Sequence, residues 1–172
     1  TLLYSVTVGC VSTPVADVAN NILYAVCITS TPTWKLYKLN LSTGATISSV
    51  TIAATGFVSQ QQLQRAALTL SNGKVYVCFG SYLDASPWFG WIFSYDASAL
   101  TQSAFFKASA SNGAGLWGSS GGPSVDGSGN LYMATGNGTY NGTTDWGESF
   151  LKWDSNLNLV GSLTPANWST LN

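Results

Sequence analysis

The sequence predicts an all-β protein, a segment of a β-propeller built of about three four-stranded antiparallel blades. Short runs of alternating apolar and polar residues lie between clusters of Gly, Asn and Ser, and no stretch has a convincing helical period. The tyrosines of three predicted second strands, Tyr24, Tyr76 and Tyr132, are 52 and 56 residues apart. A period near 50 with four strands per unit is typical of propeller blades. An immunoglobulin-like sandwich would not repeat a four-strand unit three times.

The predicted blades divide the chain evenly. They span about residues 12–53, 65–107 and 121–163, and residues 1–9 are predicted as a strand of a preceding blade. The predicted strands are 12–17, 22–29, 34–41, 45–53, 65–70, 74–81, 91–96, 101–107, 121–126, 130–136, 149–154 and 157–163. The stretch 58–70 is rich in helix-forming residues, but we expect a loop that leads into a strand. Because closed propellers have four to eight blades, we expect either a segment of a larger propeller or an arc completed by other copies.

The connections between the first two strands of each blade carry turn residues. Asn72-Gly73 is the strongest short hairpin signal. In the other two blades, Asp17 and Asp126 open turns in which the carboxylate can accept hydrogen bonds from backbone N–H groups. These aspartates are therefore predicted to be structural rather than catalytic.

Composition excludes several function classes. Charged residues make up 8% of the chain, the net charge is −1 and there is no histidine. A nucleic-acid-binding protein would need a basic surface, and no apolar run has the length of a membrane span. The polar residues are mostly Ser, Thr, Asn and Gly, which favours an extracellular, secreted protein. A chain that begins at Thr1 fits either a removed leader or a piece of a longer protein.

The cysteines and sequons extend this interpretation. Cys10, Cys27 and Cys78 have no zinc-type spacing, and either one disulfide with one thiol or three buried thiols is compatible with the sequence. Four asparagines stand in N-x-[ST] sequons. Two of them are expected first as glycosylation sites because they lie in a glycine-rich predicted loop. In order of expectation, the sequons are Asn137, Asn141, Asn40 and Asn167.

Three stretches carry a resemblance to a known family: "STPVADVANNILYAV", "NGKVYVCFGSYLDASPWFGWIFSYDASAL" and "GGPSVDGSGNLYMATGNGTYN". They resemble the pyrroloquinoline-quinone-type repeat propellers of the quinoprotein alcohol dehydrogenase-like superfamily, over about residues 12–167. The blade signature of that family ends in Asp-x-x-Thr-Gly and a docking Trp. Here only Thr43-Gly44 remains in the first blade, with Ser48 where Trp would stand. Contacts between blades are therefore expected to depend on other apolar packing.

The resemblance also implies a catalytic site that this sequence does not reproduce. Quinoprotein dehydrogenases use an adjacent Cys-Cys disulfide, a catalytic Asp and a Ca²⁺ site of Glu, Asn and Asp. This chain has no Cys-Cys, and its only glutamate is Glu148. Asp145 and Glu148 could supply oxygens for Ca²⁺ near Asn137 and Asn141, but solvated loop carboxylates are the plainer interpretation. We predict no catalytic residue, no metal and no cofactor for this chain.

The sequence also gives little support for hydrolytic catalysis. The absence of histidine excludes Ser-His-Asp and Cys-His catalysis. A carboxylate pair for glycoside cleavage would have to come from Asp84, Asp145 and Glu148, and nothing in their sequence context singles them out.

Aromatic side chains in the predicted connecting regions are the remaining functional signal. Aromatic rings among hydroxyl and amide groups suit a glycan- or protein-binding surface, whereas the alternative is that they fill the space between blades. The rings in question are Trp88, Phe89, Trp91, Trp117, Tyr140 and Trp146.

The sequence thus favours a secreted, N-glycosylated, non-catalytic module that binds partners or builds extracellular structure. A fragment of a quinone-dependent dehydrogenase and a subunit of an extracellular filament are the alternatives. The expected partners are further blades of the same polypeptide or other copies of the chain, and glycans are a further candidate.

Overall fold

A computed structural model describes residues 8–171 as an all-β structure, as the sequence predicts. Thirteen strands and three single-turn 3-10 helices account for its regular elements, and no α-helix occurs in the described part of the chain. Most of the predicted strand 1–9 lies outside the described residues. The strands are β1 Val15–Asp17, β2 Ile22–Ile28, β3 Trp34–Asn40, β4 Thr46–Thr51, β5 Gln62–Leu63, β6 Thr69–Ser71, β7 Lys74–Ser81, β8 Trp91–Asp96, β9 Gln102–Lys107, β10 Ser124–Val125, β11 Leu131–Ala134, β12 Phe150–Trp153 and β13 Leu159–Leu163.

These strands form three antiparallel sheets, each wound in chain order. The first sheet has the order β1-β2-β3-β4 and the third the order β10-β11-β12-β13. In the second sheet, β7, β8 and β9 follow one another, while β5 and β6 both pair with β7. Each sheet except for β5, which precedes residue 65, falls within one predicted blade. The predicted propeller segment of about three four-stranded antiparallel blades is confirmed.

The first strand of the second sheet differs from its prediction. Only Thr69 and Leu70 of the predicted strand 65–70 lie in a strand, β6, while β5 precedes it at Gln62–Leu63, because the backbone between β5 and β6 bonds outside the sheet. Ala67 N donates to Gly121 O at 3.1 Å, and Leu68 N donates to Thr13 O at 3.0 Å. Both acceptors lie in the segments that lead into β10 and β1. The innermost strand of the second sheet is therefore tied directly to its two neighbours.

Side-chain alternation on β7 explains how the sheets stack. Successive residues of a strand point to opposite faces, and here both faces are buried. Val75, Val77 and Phe79 belong to the core shared with the first sheet. Tyr76 and Cys78 belong to the core shared with the third sheet. The expectation that apolar packing replaces the docking Trp agrees with these two cores.

The structure contains the predicted turns and one of the two predicted cysteine arrangements. Asn72 and Gly73 have φ of 50° and 70°, as a two-residue hairpin of this type requires. Asp126 Oδ1 accepts the backbone N–H groups of Ser128 and Asn130 at 2.8 and 2.9 Å, which is the predicted structural role. Of the two cysteine arrangements that the sequence left open, the structure has a Cys10–Cys27 disulfide and a buried Cys78 thiol. Burial raises the pKa of this thiol far above its usual range.

Candidate functional site

A cavity of about 760 Å³ lies where the segments entering the sheets meet the loop that follows β7. It is the candidate functional site because its wall combines an aromatic ring, a guanidinium and a carboxylate, a combination typical of ligand sites. Among residues 8–171, no cluster of three or more Asp, Glu or Cys side chains suited to a metal ion occurs there or elsewhere. The cavity is lined by Val11, Thr13, Leu63, Arg65, Ser81, Tyr82, Leu83, Asp84, Trp117 and Ser120.

The Trp117 indole is seated on backbone rather than on side chains. A Cβ added at Gly80 would lie 2.6 Å from the ring, and one added at Gly115 would lie 2.5 Å from Nε1. A Cβ at Gly136 would lie 3.1 Å from the ring. Glycine at these three positions therefore lets the backbone approach the indole closely. Trp117 is only half-buried and lines the cavity, so it can present a flat ring to a ligand.

Two opposite charges stand at the same cavity. Arg65 is exposed, and no described residue forms an ion pair or hydrogen bond with its guanidinium. Asp84 is fixed by local contacts: Ser81 Oγ donates to Asp84 Oδ1, and Asp84 N donates to Ser81 Oγ at 3.0 Å. Asn137 Nδ2 donates to Asp84 Oδ2 at 3.2 Å. This contact brings a carboxylate and an amide together from two different sheets.

The backbone at Asp84 is held in an unusual conformation. Leu83 and Asp84 have φ of 56° and 51°, in the left-handed region that few non-glycine residues adopt. Such conformations concentrate at functional sites, where surrounding contacts hold them. Leu83 is 85% exposed, so the strained turn projects its apolar side chain toward solvent instead of burying it.

The six aromatic rings predicted as a binding surface divide into two groups. Trp88, Trp91 and Trp146 are 2%, 0% and 8% exposed and pack within the protein, as the core-filling alternative expected. The other three rings, Phe89, Trp117 and Tyr140, are half-buried. Of the six, only Trp117 lines the large cavity.

The carboxylates considered for calcium are not brought together as a metal site. Asp145 is buried, and its oxygens accept five hydrogen bonds: from Ser109 Oγ, from N and Oγ of Ser111, from Asn141 Nδ2 and from Thr144 Oγ1. Burial alone would raise the pKa of Asp145, but these hydrogen bonds hold it well below its usual range. Its lone pairs are thus used by protein donors. Asp145 is a structural carboxylate in this structure.

The predicted sequons differ in how their amides are used. Asn141 and Asn167 are exposed, whereas Asn40 and Asn137 are half-buried. Asn141 Nδ2 already donates to Asp145 Oδ2 at 2.7 Å, and Asn137 Nδ2 donates to Asp84. A glycan on either nitrogen would have to replace these contacts. Glycosylation remains a prediction at all four positions.

The sequence names Trp117 as a candidate binding residue but does not single out the two charged residues of the cavity. Arg65 begins the predicted strand 65–70, and Asp84 is a candidate only for glycoside cleavage. The available signal was glycine in and around apolar strands, as at Gly80 near the end of β7, because such a glycine often marks a close approach of backbone to another group.

Solved structures resemble this arrangement of sheets over most of its length. A quinohemoprotein alcohol dehydrogenase from Pseudomonas putida HK5 superposes with a TM-score of 0.67 and 16% identity, covering 84% of this chain. A europium-containing methanol dehydrogenase gives 0.65, 13% and 84%, and a quinohemoprotein alcohol dehydrogenase from Comamonas testosteroni gives 0.65, 15% and 92%. The fold is that of a β-propeller segment, similar to part of each of these dehydrogenases.

The likeness extends to only part of each of those proteins. The chain spans 25%, 31% and 35% of their lengths, respectively. No protein-family model and no curated protein matches the chain. Within residues 8–171, no helix has the length and apolar character needed to cross a membrane.

Proposed function

We propose that this chain is the ligand-binding part of a quinoprotein-like propeller, and that it binds a planar anionic ring against Trp117. The observation that carries the proposal is the seat of three glycines beneath the indole. A ring seated on backbone is fixed in orientation before the ligand arrives, and such preorganisation reduces the free-energy cost of binding. Stacking on an exposed aromatic face then favours planar ligands.

The charges around Trp117 define the rest of the ligand. Arg65 has no partner among the described residues, so its guanidinium can bind a carboxylate of the ligand in a bidentate manner. The cavity of about 760 Å³ has the size of a pocket for a multi-ring molecule. A planar quinone that carries carboxylates fits both features, and it would supply two-electron redox chemistry.

The cation that such quinones use fits this chain only in part. Asp84 offers a carboxylate, and Asn137 an amide oxygen, the ligand types that hard cations prefer. The resemblance implies a glutamate as well, and Glu148, the only glutamate of the chain, forms no hydrogen bond with Asp84 or Asn137 among the described residues. We therefore assign binding, rather than alcohol oxidation, to the 172-residue chain.

An extracellular location is part of the same proposal. Disulfides persist in oxidising compartments and are rare in the cytosol, so the Cys10–Cys27 pairing supports a secreted protein. The exposed sequons Asn141 and Asn167 are compatible with N-glycosylation in a eukaryotic host.

Titration calorimetry of the chain with pyrroloquinoline quinone, with and without Ca²⁺, tests the proposal. We expect saturable binding at one site, weakened at least tenfold by Trp117→Leu and several-fold by Arg65→Gln. The matched control is Trp168→Leu, because Trp168 is a half-buried ring that packs edge-to-face against Tyr140 and does not line the cavity. Absence of binding, or equal loss in the control variant, would contradict the proposal.

Turnover is the second readout. We expect no alcohol-dependent reduction of dye by the chain with quinone and Ca²⁺, because it offers one carboxylate and one amide and has no adjacent cysteine pair. Measurable turnover would show that these groups suffice for catalysis.

A further inference from the structure

Tyrosine and lysine side chains join the first sheet to the second. Tyr24 on β2 and Lys38 on β3 face each other across the strand pair. Tyr24 Oη donates to Ala97 O at 2.7 Å, and Lys38 Nζ donates to Ser98 O at 2.7 Å. These carbonyls belong to the two residues after Asp96, which ends β8.

The same contact recurs between the second and third sheets. Tyr76 Oη donates to Ser155 O at 3.0 Å, and Lys74 Nζ donates to the same carbonyl at 2.9 Å. Lys74 Nζ also contacts Asn156 Oδ1 at 2.8 Å. Ser155 follows Asp154, as Ala97 follows Asp96. In both cases the second-strand tyrosine therefore reaches the first carbonyl after the aspartate that follows or ends the third strand of the next sheet.

The aspartates hold these carbonyls in place. Asp96 Oδ1 accepts the N–H groups of Ser98 and Ala99 at 2.9 and 2.8 Å. Asp154 Oδ1 accepts those of Asn156 and Asn158 at 2.8 and 3.0 Å. Each turn is folded by its own side chain, so the carbonyl is oriented independently of the tyrosine that binds it.

The third sheet has the two donors but no such acceptor within the described chain. Tyr132 and Lys152 face each other as Tyr24 and Lys38 do. Tyr132 Oη donates instead to Asp126 Oδ2 within its own sheet, at 2.8 Å. Lys152 Nζ lies 5.2 Å from the centre of the Tyr132 ring.

The surface around these donors is apolar. Ala134, Phe150 and Leu163 are cross-strand neighbours on the face that carries Tyr132. Phe150 and Leu163 are 48% and 71% exposed. We call this surface, made of Tyr132, Ala134, Phe150, Lys152 and Leu163, the open donor face. An exposed apolar patch of this kind marks an interaction site.

The first sheet carries an acceptor turn of the matching kind. Asn40 ends β3, and its Oδ1 accepts the N–H groups of Ser42 and Thr43 at 3.0 and 2.9 Å. This is the hydrogen-bond pattern of Asp96. By position, the Leu41 carbonyl corresponds to those of Ala97 and Ser155, and no described residue of a preceding sheet donates to it.

We propose that the open donor face binds the first sheet of a second copy of this chain, with Lys152 Nζ donating to the turn that follows Asn40 and Tyr132 Oη exchanging its hydrogen bond to Asp126 Oδ2 for one to the same turn. The chain holds both halves of the contact, one at each end of its row of sheets. A net charge of −1 adds little repulsion between copies. The contact is head-to-tail, so it can extend beyond two copies.

Sedimentation velocity over a concentration series tests this proposal. The 172-residue chain should associate as its concentration rises. The Tyr132→Phe/Lys152→Met double variant should raise the dissociation constant several-fold, and Leu163→Glu at least tenfold. Because Leu163 is largely exposed, Leu163→Glu should leave the thermal unfolding temperature unchanged. Tyr140→Phe, which removes a hydroxyl from the loop between β11 and β12, is the matched control and should associate as the wild type does.

A mixing experiment tests the polarity of the contact. A Leu163→Glu chain keeps an intact first sheet, so adding it to the wild type should shorten the oligomers. Association that survives Leu163→Glu overturns the proposal, and so do oligomers that stay equally long when the variant chain is added to the wild type. A chain that stays monomeric at millimolar concentration also overturns it and assigns the face to another occupant, such as a further blade of a longer polypeptide. Binding of quinone at Trp117 is independent of all these outcomes.

Discussion

The Trp117 indole can occupy its position because three of its neighbours are glycines, which have no Cβ. Gly80, Gly115 and Gly136 come from three separate segments, and a Cβ on any of them would crowd the indole. The sequence named Trp117 as one of six candidate rings, but spacing alone could not separate it from Trp88, which is buried. That distinction depends on which backbone segments approach each ring, a consequence of long-range pairing.

Substitution of Gly80 tests the seat directly. Gly80→Ala should destabilise the fold by about 1–3 kcal/mol, because the new methyl group overpacks against the indole, and it should weaken binding of the quinone. Gly127→Ala is the matched control, since a Cβ there would meet nothing within 4 Å. Chemical denaturation gives the free energy of unfolding. If Gly80→Ala and Gly127→Ala change the free energy of unfolding equally, close packing of the indole against Gly80 is contradicted.

The lowered pKa of Asp145 should make the stability of the fold sensitive to acid. Its folded pKa lies below the value of about 3.9 expected in the unfolded chain. Its contribution to stability is therefore fully present above that pH and is lost as the pH falls through the folded pKa. The free energy of unfolding of the wild type should fall below about pH 4, more steeply than that of Asp145→Asn. Parallel pH profiles would assign the acid sensitivity to other carboxylates.

At the scale of elements, the strands were largely predictable. Alternation located the long strands β2, β3, β7 and β8 to within about a residue, because tertiary packing and local pattern agree there. It failed at the predicted strand 65–70, since Ala67 and Leu68 bond to segments distant in sequence. Periodicity carries no information about such contacts.

The tyrosine contact between sheets should contribute measurably to stability. Tyr76→Phe removes the hydrogen bond to Ser155 O and should lower the free energy of unfolding by about 1 kcal/mol, the typical net value of one hydrogen bond. Tyr37→Phe is the control, because no hydrogen bond of its hydroxyl is present among the described residues. Urea denaturation of both variants gives the comparison. If Tyr76→Phe lowers the free energy of unfolding no more than the control does, the hydrogen bond to Ser155 O does not stabilise the fold.

The disulfide closes the segment that leads into the first sheet. Cys10 and Cys27 are 17 residues apart, and a loop of about this length is associated with roughly 3 kcal/mol of stabilisation. The Cys10→Ser/Cys27→Ser double variant should lose about this much of its free energy of unfolding, and thermal denaturation measures the difference. Cys78→Ser is not a neutral control, since that thiol is fully buried.

At the scale of the whole molecule, three sheets pack in chain order, and the two outer faces of this row differ in their hydrogen-bonding groups. The resemblance in sequence predicted the architecture, and the solved structures confirm it at 13–16% identity. Neither predicted where a ligand would lie. Arg65, Asp84 and Trp117 are distant in sequence, and they line one cavity because the segments that enter the sheets pack against the loop that follows β7.

A crystal structure of the chain with pyrroloquinoline quinone would test the central claim most directly. We expect electron density for a planar ring stacked on the Trp117 indole, with a ligand carboxylate at the Arg65 guanidinium. Density at another site, or an indole covered by protein while the quinone is bound elsewhere, would contradict it.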